Sequence, residues 1–176
     1  SGSYTTVWSH NSGDVFAVGT TTVTATVTDA AGNSTVCSFD VTVEDNEAPV
    51  ITAPADVTVN ADAGSCDALV SGVTLGTPTV SDNCGVASTA NNTGTSFVLG
   101  TNTVTWTVTD IHGNSTTATQ TVTVLDAEDP VVVCPSDFTA YGAADSTMTS
   151  VSWTAATVTD NCSIDTIYSD VQIGAY

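Results

Sequence analysis

The chain has 176 residues, of which 19 are Asp or Glu and none is Lys or Arg, so its formal net charge is −19. A chain without basic side chains cannot neutralise phosphates, which excludes nucleic acid and anionic membrane surfaces as direct partners. Hydrophobic residues make up 41% of the chain, too many for a disordered acidic tail, so we expect a folded protein. The apolar runs are too short to span a bilayer, so we predict no membrane insertion. The sequence also has no signal-peptide pattern.

Two segments that lie 81 residues apart are close copies of one another. Residues 18–43 read VGTTTVTATVTDAAGNSTVCSFDVTV, and residues 99–124 read LGTNTVTWTVTDIHGNSTTATQTVTV. In both, apolar residues alternate with threonines, and a Gly-Asn turn then leads into a second alternating run. Each copy predicts a β-hairpin with one buried face. The return strand would bury Cys37, Phe39, Val41 and Val43, or their counterparts Ala118, Gln120, Val122 and Val124. Gln120 breaks this pattern without an explanation in the sequence.

A shorter repeat and two acidic linkers complete the organisation of the chain. TVSDNCG ends at Gly85 and TVTDNCS ends at Ser163, 78 residues later, while the linkers read EDNEAPVI and LDAEDPVV. No stretch has a helical period, so the sequence predicts an all-β chain of tandem Ig-like antiparallel β-sandwiches. Residues 1–45 match only the C-terminal half of a domain, residues 46–127 a complete domain, and residues 128–176 only an N-terminal half. We expect neighbouring copies to complete the two halves.

These motifs resemble the hyalin repeat, or HYR, family. The resemblance rests on Pro49-Val50-Ile51, Pro130-Val131-Val132, the two Asp-Asn-Cys motifs and the long hairpin repeats. It implies an Ig-like fold in tandem modules of extracellular proteins, with adhesion as the proposed role. Members similar to this chain are common in very long surface proteins of Bacteroidota-like bacteria. The family supplies no catalytic residues.

Catalytic candidates are few, and we predict that the protein is not an enzyme. His112 lies in the DIHGN turn, where the other copy has Ala31, and His10 lies in a polar stretch typical of a loop. Nucleophilic catalysis needs a base beside Ser or Cys, and neither histidine has that context. No cysteine lies in a C-x-x-C pair, so a zinc site is not expected either.

The linkers carry the candidate metal site. Oxygen ligands crowd each one, as Ca²⁺ requires: Asp45, Asn46 and Glu47 in the first linker, and Asp126, Glu128 and Asp129 in the second. The alternative is that these acids are simply solvated. Calcium is the one cofactor that we consider. Asp29 and Asp110 precede the Gly-Asn turns and are expected to form those turns through side-chain hydrogen bonds.

The five cysteines predict disulfides in an oxidising compartment. Cys66 and Cys84 lie 18 residues apart in the complete domain, which favours a bond between them. Cys162 has no equivalent partner and would be free or linked to another chain. Cys37 and Cys134 align with alanines of the complete domain, as the two ends of one missing disulfide would. Because they lie in different half domains, we expect them to bond between neighbouring copies.

Function follows from this organisation as a hypothesis. We expect a structural or adhesive repeat of an extracellular filament or giant cell-surface protein, whose partners are copies of itself and, at the surface, other cells or glycans. The copies would be joined by peptide bonds or, as separate subunits, by strand exchange. The alternative is an Ig-like module that binds glycan or a partner protein, which an exposed aromatic patch or a concave pocket would favour.

Overall fold

The computed structural model describes residues 2–142, 144 and 151–167, and this part of the chain is almost entirely strands and turns. One 3₁₀ turn, Val70–Gly72, is present. The strands are β1 (Tyr4–Trp8), β2 (Gly19–Asp29), β3 (Ser34–Val43), β4 (Val50–Thr52), β5 (Val57–Asn60), β6 (Asp67–Leu69), β7 (Thr79–Ser81), β8 (Val86–Asn91), β9 (Ser96–Val98), β10 (Gly100–Asp110), β11 (Ser115–Leu125), β12 (Val131–Val133) and β13 (Thr157–Thr159). The all-β prediction is confirmed.

Five sheets are built from these strands. A three-stranded sheet has the order β1-β2-β3, and a four-stranded sheet has the order β5-β11-β10-β8. Three strand pairs, β4-β7, β6-β9 and β12-β13, make up the remainder. β5 runs parallel to β11, whereas β2 pairs antiparallel with both β1 and β3. Such small, mostly antiparallel sheets are consistent with Ig-like modules.

The four-stranded sheet carries the best-packed core. Threonines alternate with apolar residues along β10 and β11, so one face of the sheet is apolar and packs inward. The buried members of this core are Ala68, Phe97, Val104, Trp106, Val122 and Val124. Side chains from residues 51–75 pack over them, including Ile51, Val57 and Leu75. The predicted inward face of this hairpin is confirmed.

Gln120 lies inside this core, and the structure explains it. The residue is 1% exposed. Its Oε1 accepts a hydrogen bond from the indole Nε1–H of Trp106 at 3.0 Å. Its Nε2 donates to the carbonyl oxygens of Ala55 at 2.7 Å and Leu75 at 2.8 Å. Because every polar atom has a partner, the amide is tolerated in an apolar layer and links β11 to the segments that cover it.

The three-stranded sheet has the same hairpin, but its inner face is only partly buried within the described part of the first unit. Val23 and Ala25 on β2 are buried, as predicted. On β3, however, Cys37 is exposed and the Phe39 side chain is 53% exposed, so the predicted burial of both is wrong. Within the described part of the first unit, the β3 side of this inner face therefore stays open, although its β2 side is buried.

The chain divides into two compact units. The first contains residues up to 50 together with residues 81–88 and 108–116, and the second contains residues 51–80, 89–107 and the described residues from 117 onward. In the second unit, the Trp153 side chain is 38% exposed. Across the described residues, no helix is long and apolar enough to cross a membrane.

Candidate functional site

Asp110 shapes the turn between β10 and β11. Its Oδ1 accepts hydrogen bonds from the backbone N–H groups of His112 at 2.8 Å and Asn114 at 2.9 Å. Its Oδ2 accepts from Asn114 Nδ2 at 2.8 Å. Asp29 makes the same pattern with Ala31 and Asn33 in the first hairpin. The predicted role of both aspartates in forming these turns is confirmed.

A second aspartate turn follows β7, at the first Asp-Asn-Cys motif. Asp82 Oδ1 accepts hydrogen bonds from the backbone N–H groups of Cys84 and Gly85, both at 2.8 Å. Its Oδ2 is buried and has no hydrogen-bond partner among the described residues. Gly85 has a φ of +121°, a conformation that other residues rarely adopt, which suits glycine at this position. The turn fixes where the Cys84 side chain points.

Asp45, from the first linker, lies between these two turns within the first unit. One carboxylate oxygen from each of Asp45, Asp82 and Asp110 lies within 4.8 Å of the other two. A second set of atoms, from Asp45, Cys84 and His112, is equally close. Asp45 Oδ2 is 3.0 Å from His112 Nδ1, and its backbone carbonyl accepts from Asn114 Nδ2 at 3.1 Å. Asp45 therefore belongs to both clusters, which we call the carboxylate cluster and the thiol–imidazole cluster.

Burial and charge shift two pKa values at these clusters. The thiol of Cys84 has a raised pKa, first because it is removed from water and then because Asp45 accepts its hydrogen bond and carries a negative charge. Asp110 is 2% exposed, and this burial alone would raise its pKa. Hydrogen bonds from Asn114 and neighbouring backbone groups outweigh that effect, so the pKa of Asp110 is lowered. The raised pKa keeps the Cys84 thiol protonated at neutral pH.

The second linker lies at a related site in the second unit. Asp126 and Asp160 approach one another, with Cys162 alongside them. Glu128 accepts a hydrogen bond from the backbone N–H of Gly64 at 2.7 Å, and Asn161 Nδ2 donates to the carbonyl of Ser65 at 2.8 Å. The loop of residues 62–66 is thereby held against both the linker and the second Asp-Asn-Cys motif.

A disulfide closes this second site, and it corrects two predictions. Cys66 is bonded to Cys162, with Cα atoms 5.0 Å apart. The predicted Cys66–Cys84 bond is therefore wrong, and so is the prediction that Cys162 is free or intermolecular. The physical reason is that the 62–66 loop packs on the segment around Cys162 within the second unit, whereas Cys84 belongs to the first unit. A disulfide requires adjacent Cα atoms, which short sequence spacing alone does not provide.

The remaining predicted residues lie away from these clusters. Glu47 accepts a hydrogen bond from Asn83 Nδ2 at 2.9 Å, while Asn46 and Asp129 are exposed. Cys37 and Cys134 are exposed free thiols. The sequence prediction of linker ligands missed Asp82, Asp110, Cys84 and His112. A usable signal was the repeat itself, since Asp45 with Asp82 is repeated as Asp126 with Asp160.

The open face of the three-stranded sheet forms a cleft of about 480 Å³. Trp8 and Phe39 pack edge to face there, with ring centroids 6.4 Å apart. His10 and Phe16 contribute a second ring pair at 5.1 Å. Aromatic side chains thus form much of the wall of this cleft.

Sequence comparison identifies the family of these modules. The family model described as the HYR domain matches residues 2–43 and again residues 44–124. The chain belongs to the HYR family. HYR modules are non-catalytic structural domains.

Two relatives are both named hyalin. The chain is 30% identical to hyalin of Strongylocentrotus purpuratus over 171 residues, covering 93% of this chain and 14% of that protein. It is 38% identical to hyalin of Lytechinus variegatus over 138 residues, covering 73% of this chain and 26% of that protein. The HYR chain thus corresponds to a small part of either relative. Neither relative tests the predicted bacterial origin.

Proposed function

We propose that this HYR chain is a structural and adhesive repeat of an extracellular filament or giant cell-surface protein, in which neighbouring copies complete one another's half domains. The open face of the three-stranded sheet carries this proposal. In the complete domain, the equivalent face is covered by residues from 51–75. Residues 128–167 are the repeat of that covering segment, and they expose large apolar side chains of their own: Val131, Val132, Val133, Phe138 and Trp153.

The open face and the exposed segment complement each other. Val41 is only half-buried, although it occupies the position of Val122, which is completely buried. Burying apolar surface of this kind contributes about 25 cal/mol per Å². Residues 128–167 of one copy would cover the sheet of the next, and this arrangement would bring Cys134 toward Cys37 for the disulfide between copies. Hyalin similarity and the Cys66–Cys162 disulfide support an extracellular location.

The test joins two copies head to tail in one polypeptide and compares its amide hydrogen exchange with that of the single chain. We expect β2 and β3 of the second copy, and β12 and β13 of the first, to exchange more slowly in the duplicate. Under oxidising conditions, Cys134 of the first copy should be recovered bonded to Cys37 of the second. Equal exchange rates in the two proteins would show that the copies do not complete each other.

A matched control is Phe39→Asp in the second copy of the duplicate. Phe39 is largely exposed in the single chain, so the substitution should leave a single chain folded. In the duplicate it would bury a charge in the newly completed core, which is costly. The slower exchange should then be lost at the junction alone. Sedimentation of the concentrated single chain distinguishes separate subunits, which would polymerise, from a repeat that is joined only by peptide bonds.

Calcium is the second part of the proposal. The carboxylate cluster of Asp45, Asp82 and Asp110 supports it, because one buried oxygen of Asp82 has no partner and hard cations prefer oxygen ligands. Asp126 and Asp160 form the equivalent pair at the second linker. The calcium ligands that we propose therefore include Asp45 and Asp126, with Glu47, Asn46, Glu128 and Asp129 near them in the two linkers. Bound Ca²⁺ would relieve the repulsion between these acids and fix the linkers.

Asp82→Asn tests this calcium site. The Asn Oδ1 can still accept the two backbone hydrogen bonds, while a neutral amide replaces the unpartnered oxygen. Without Ca²⁺, we expect the variant to melt at a higher temperature than the wild type, because one buried carboxylate is gone. Added Ca²⁺ should raise the melting temperature of the wild type much more than that of the variant. Asp129→Asn, at an exposed position, is the control and should respond as the wild type does.

Ligand binding by the aromatic cleft remains a second candidate function. The observation that favours it is the cavity of about 480 Å³ with Trp8 and Phe16 in its walls, since ligand sites are concave and rich in aromatic residues. The head-to-tail duplicate separates the two functions. In a filament repeat, the cleft of the second copy should be filled and its Trp8 protected from quenchers. In a binding module, Trp8 of the second copy should stay as accessible to quenchers as in the single chain.

A further inference from the structure

The thiol–imidazole cluster contains the three side-chain types that proteins use most often to bind zinc. Ligand atoms from Asp45, Cys84 and His112 all lie within 4.8 Å of one another. We propose that these three residues form a binding site for Zn²⁺, or for a transition-metal ion of similar softness, with water completing the coordination. This site is separate from the calcium ligands in its chemistry, although both clusters use Asp45.

Each proposed ligand is held in place before a metal arrives. Asp82 accepts two backbone hydrogen bonds that fix the turn bearing Cys84. Asp110 accepts the backbone hydrogen bond that fixes the turn bearing His112. Asn114 donates to the backbone carbonyl of Asp45 and holds the linker against that turn. Ligands on rigid, hydrogen-bonded segments bind metals better, because less conformational freedom is lost on binding.

The distances leave only a small movement to make. Zinc binds sulfur at about 2.3 Å and nitrogen or oxygen at about 2.0–2.2 Å, so ligand atoms around a tetrahedral ion lie roughly 3.5 Å apart. His112 Nδ1 and Asp45 Oδ2 are already 3.0 Å apart. The Asp45 side chain is 3% exposed and the His112 side chain 29% exposed, so the site is shielded from solvent at Asp45 and open to solvent at His112. That opening gives the ion a route of entry and room for water.

The ligand set also selects the metal. On binding, Cys84 would lose its proton to solvent and bond to the metal as thiolate. Calcium would not take the thiolate, because it prefers oxygen, whereas zinc accepts sulfur and imidazole nitrogen.

Among the described repeats, the combination of an aspartate, a free thiol and a histidine is found only at Asp45. Cys162, the repeat counterpart of Cys84, is bonded to Cys66 and offers no thiolate. The turn at Asp29 has Ala31 where the turn at Asp110 has His112. Spacing rules do not reveal the site, because Asp45 and His112 are 67 residues apart in the sequence and only the fold joins them.

The test measures Zn²⁺ and Co²⁺ binding to the metal-free chain, without reductant so that the disulfide stays intact, and in the presence of Ca²⁺. We expect one Zn²⁺ per chain, the release of about one proton from the thiol, and a thiolate-to-cobalt charge-transfer band in the near ultraviolet. Removal of a residue that only orients a ligand costs roughly 10–100-fold in affinity. Cys84→Ser should therefore weaken Zn²⁺ binding by more than about 100-fold and abolish the band.

Three further variants make the result specific. His112→Ala copies the residue of the other turn, so it should fold normally and still lose most of the Zn²⁺ affinity. Cys37→Ser, which removes an exposed thiol elsewhere, should bind as the wild type does. Asp82→Asn should lose its response to Ca²⁺ but retain Zn²⁺. Zn²⁺ binding that survives both Cys84→Ser and His112→Ala, or a cobalt complex without the thiolate band, would overturn the proposal.

Discussion

Gln120 illustrates, at the scale of one residue, how a polar side chain becomes part of a hydrophobic core. The Gln120 amide accepts a hydrogen bond from Trp106 and donates to two backbone carbonyls of the covering segment, so its buried polar atoms are all paired. In the first hairpin the equivalent position is Phe39, which meets no such partners and is half exposed. The same position of the hairpin is therefore buried in one repeat, at Gln120, and half exposed in the other, at Phe39.

Replacing Gln120 by Leu should destabilise the complete domain. The change would leave the Trp106 N–H and the two carbonyls without partners, and an unsatisfied buried group costs about 1–3 kcal/mol. We expect a loss of roughly 2–5 kcal/mol in the free energy of unfolding, measured by urea denaturation. Thr119→Leu on the exposed side of β11 is the control, and it should change stability by less than about 0.5 kcal/mol. A similar effect of both changes would contradict this account.

The three free cysteines should react in a definite order. Cys37 and Cys134 are exposed, whereas Cys84 is half buried and has a raised pKa because of its burial and its contact with Asp45. Thiolates are the reactive form, so Cys84 should be alkylated last in the native single chain near neutral pH. Mass spectrometry at successive times of iodoacetamide treatment gives the order. Early labelling of Cys84 would show that the Asp45 contact does not form.

At the scale of the structural element, the two Asp-x-x-Gly-Asn turns carry a pH dependence. The pKa of Asp110 is lowered by its hydrogen bonds, despite its burial, and the pKa of Asp29 is lowered chiefly by Asn33. A carboxylate whose pKa is lower in the folded state stabilises the fold above its unfolded pKa. That stabilisation is lost as the pH falls from about 4 through the lower, folded pKa.

Asp110→Asn measures this effect directly. Its Oδ1 can still accept the backbone hydrogen bonds, but it carries no titrating group. We expect the stability advantage of the wild type over the variant to shrink as the pH falls from 6 toward 2, measured by thermal denaturation at matched ionic strength. The stability of the wild type is compared with that of the variant at each pH, because protonation of the other acids also changes the repulsion among the 19 acidic residues. A constant difference in stability across this pH range would show that Asp110 does not cause the pH dependence.

The long hairpins were predictable from sequence because local physics decides them. The alternation of Val and Thr identifies β2 and β10, and Asp, Gly and Asn identify their turns. The clusters at Asp45 were only partly predictable. The linker acids were visible as a local excess of charge, but Asp82, Cys84 and His112 come from separate turns that meet only through tertiary packing. For the same reason, sequence spacing chose the wrong partner for Cys66.

At the scale of the whole chain, the Cys66–Cys162 disulfide should be the largest single covalent contribution to stability. It closes a loop with a sequence separation of 96 residues. Chain-entropy estimates for such a loop give roughly 4–5 kcal/mol. We expect Cys162→Ser to lower the free energy of unfolding of the second unit by an amount of this order, measured by denaturant unfolding without reductant. Cys37→Ser should have little effect, and a loss equal to that of Cys162→Ser would point to a different pairing.

The same bond also determines how the chain would carry tension. If the chain is pulled from its two ends, the force crosses from Cys66 to Cys162 through sulfur, and the 96 intervening residue steps bear no load. At about 3.5 Å per extended residue, roughly 330 Å of contour length stays in reserve. Single-molecule stretching should release that length only after a reductant is added. A strand of such repeats would then lengthen by reduction, without the loss of a single peptide bond.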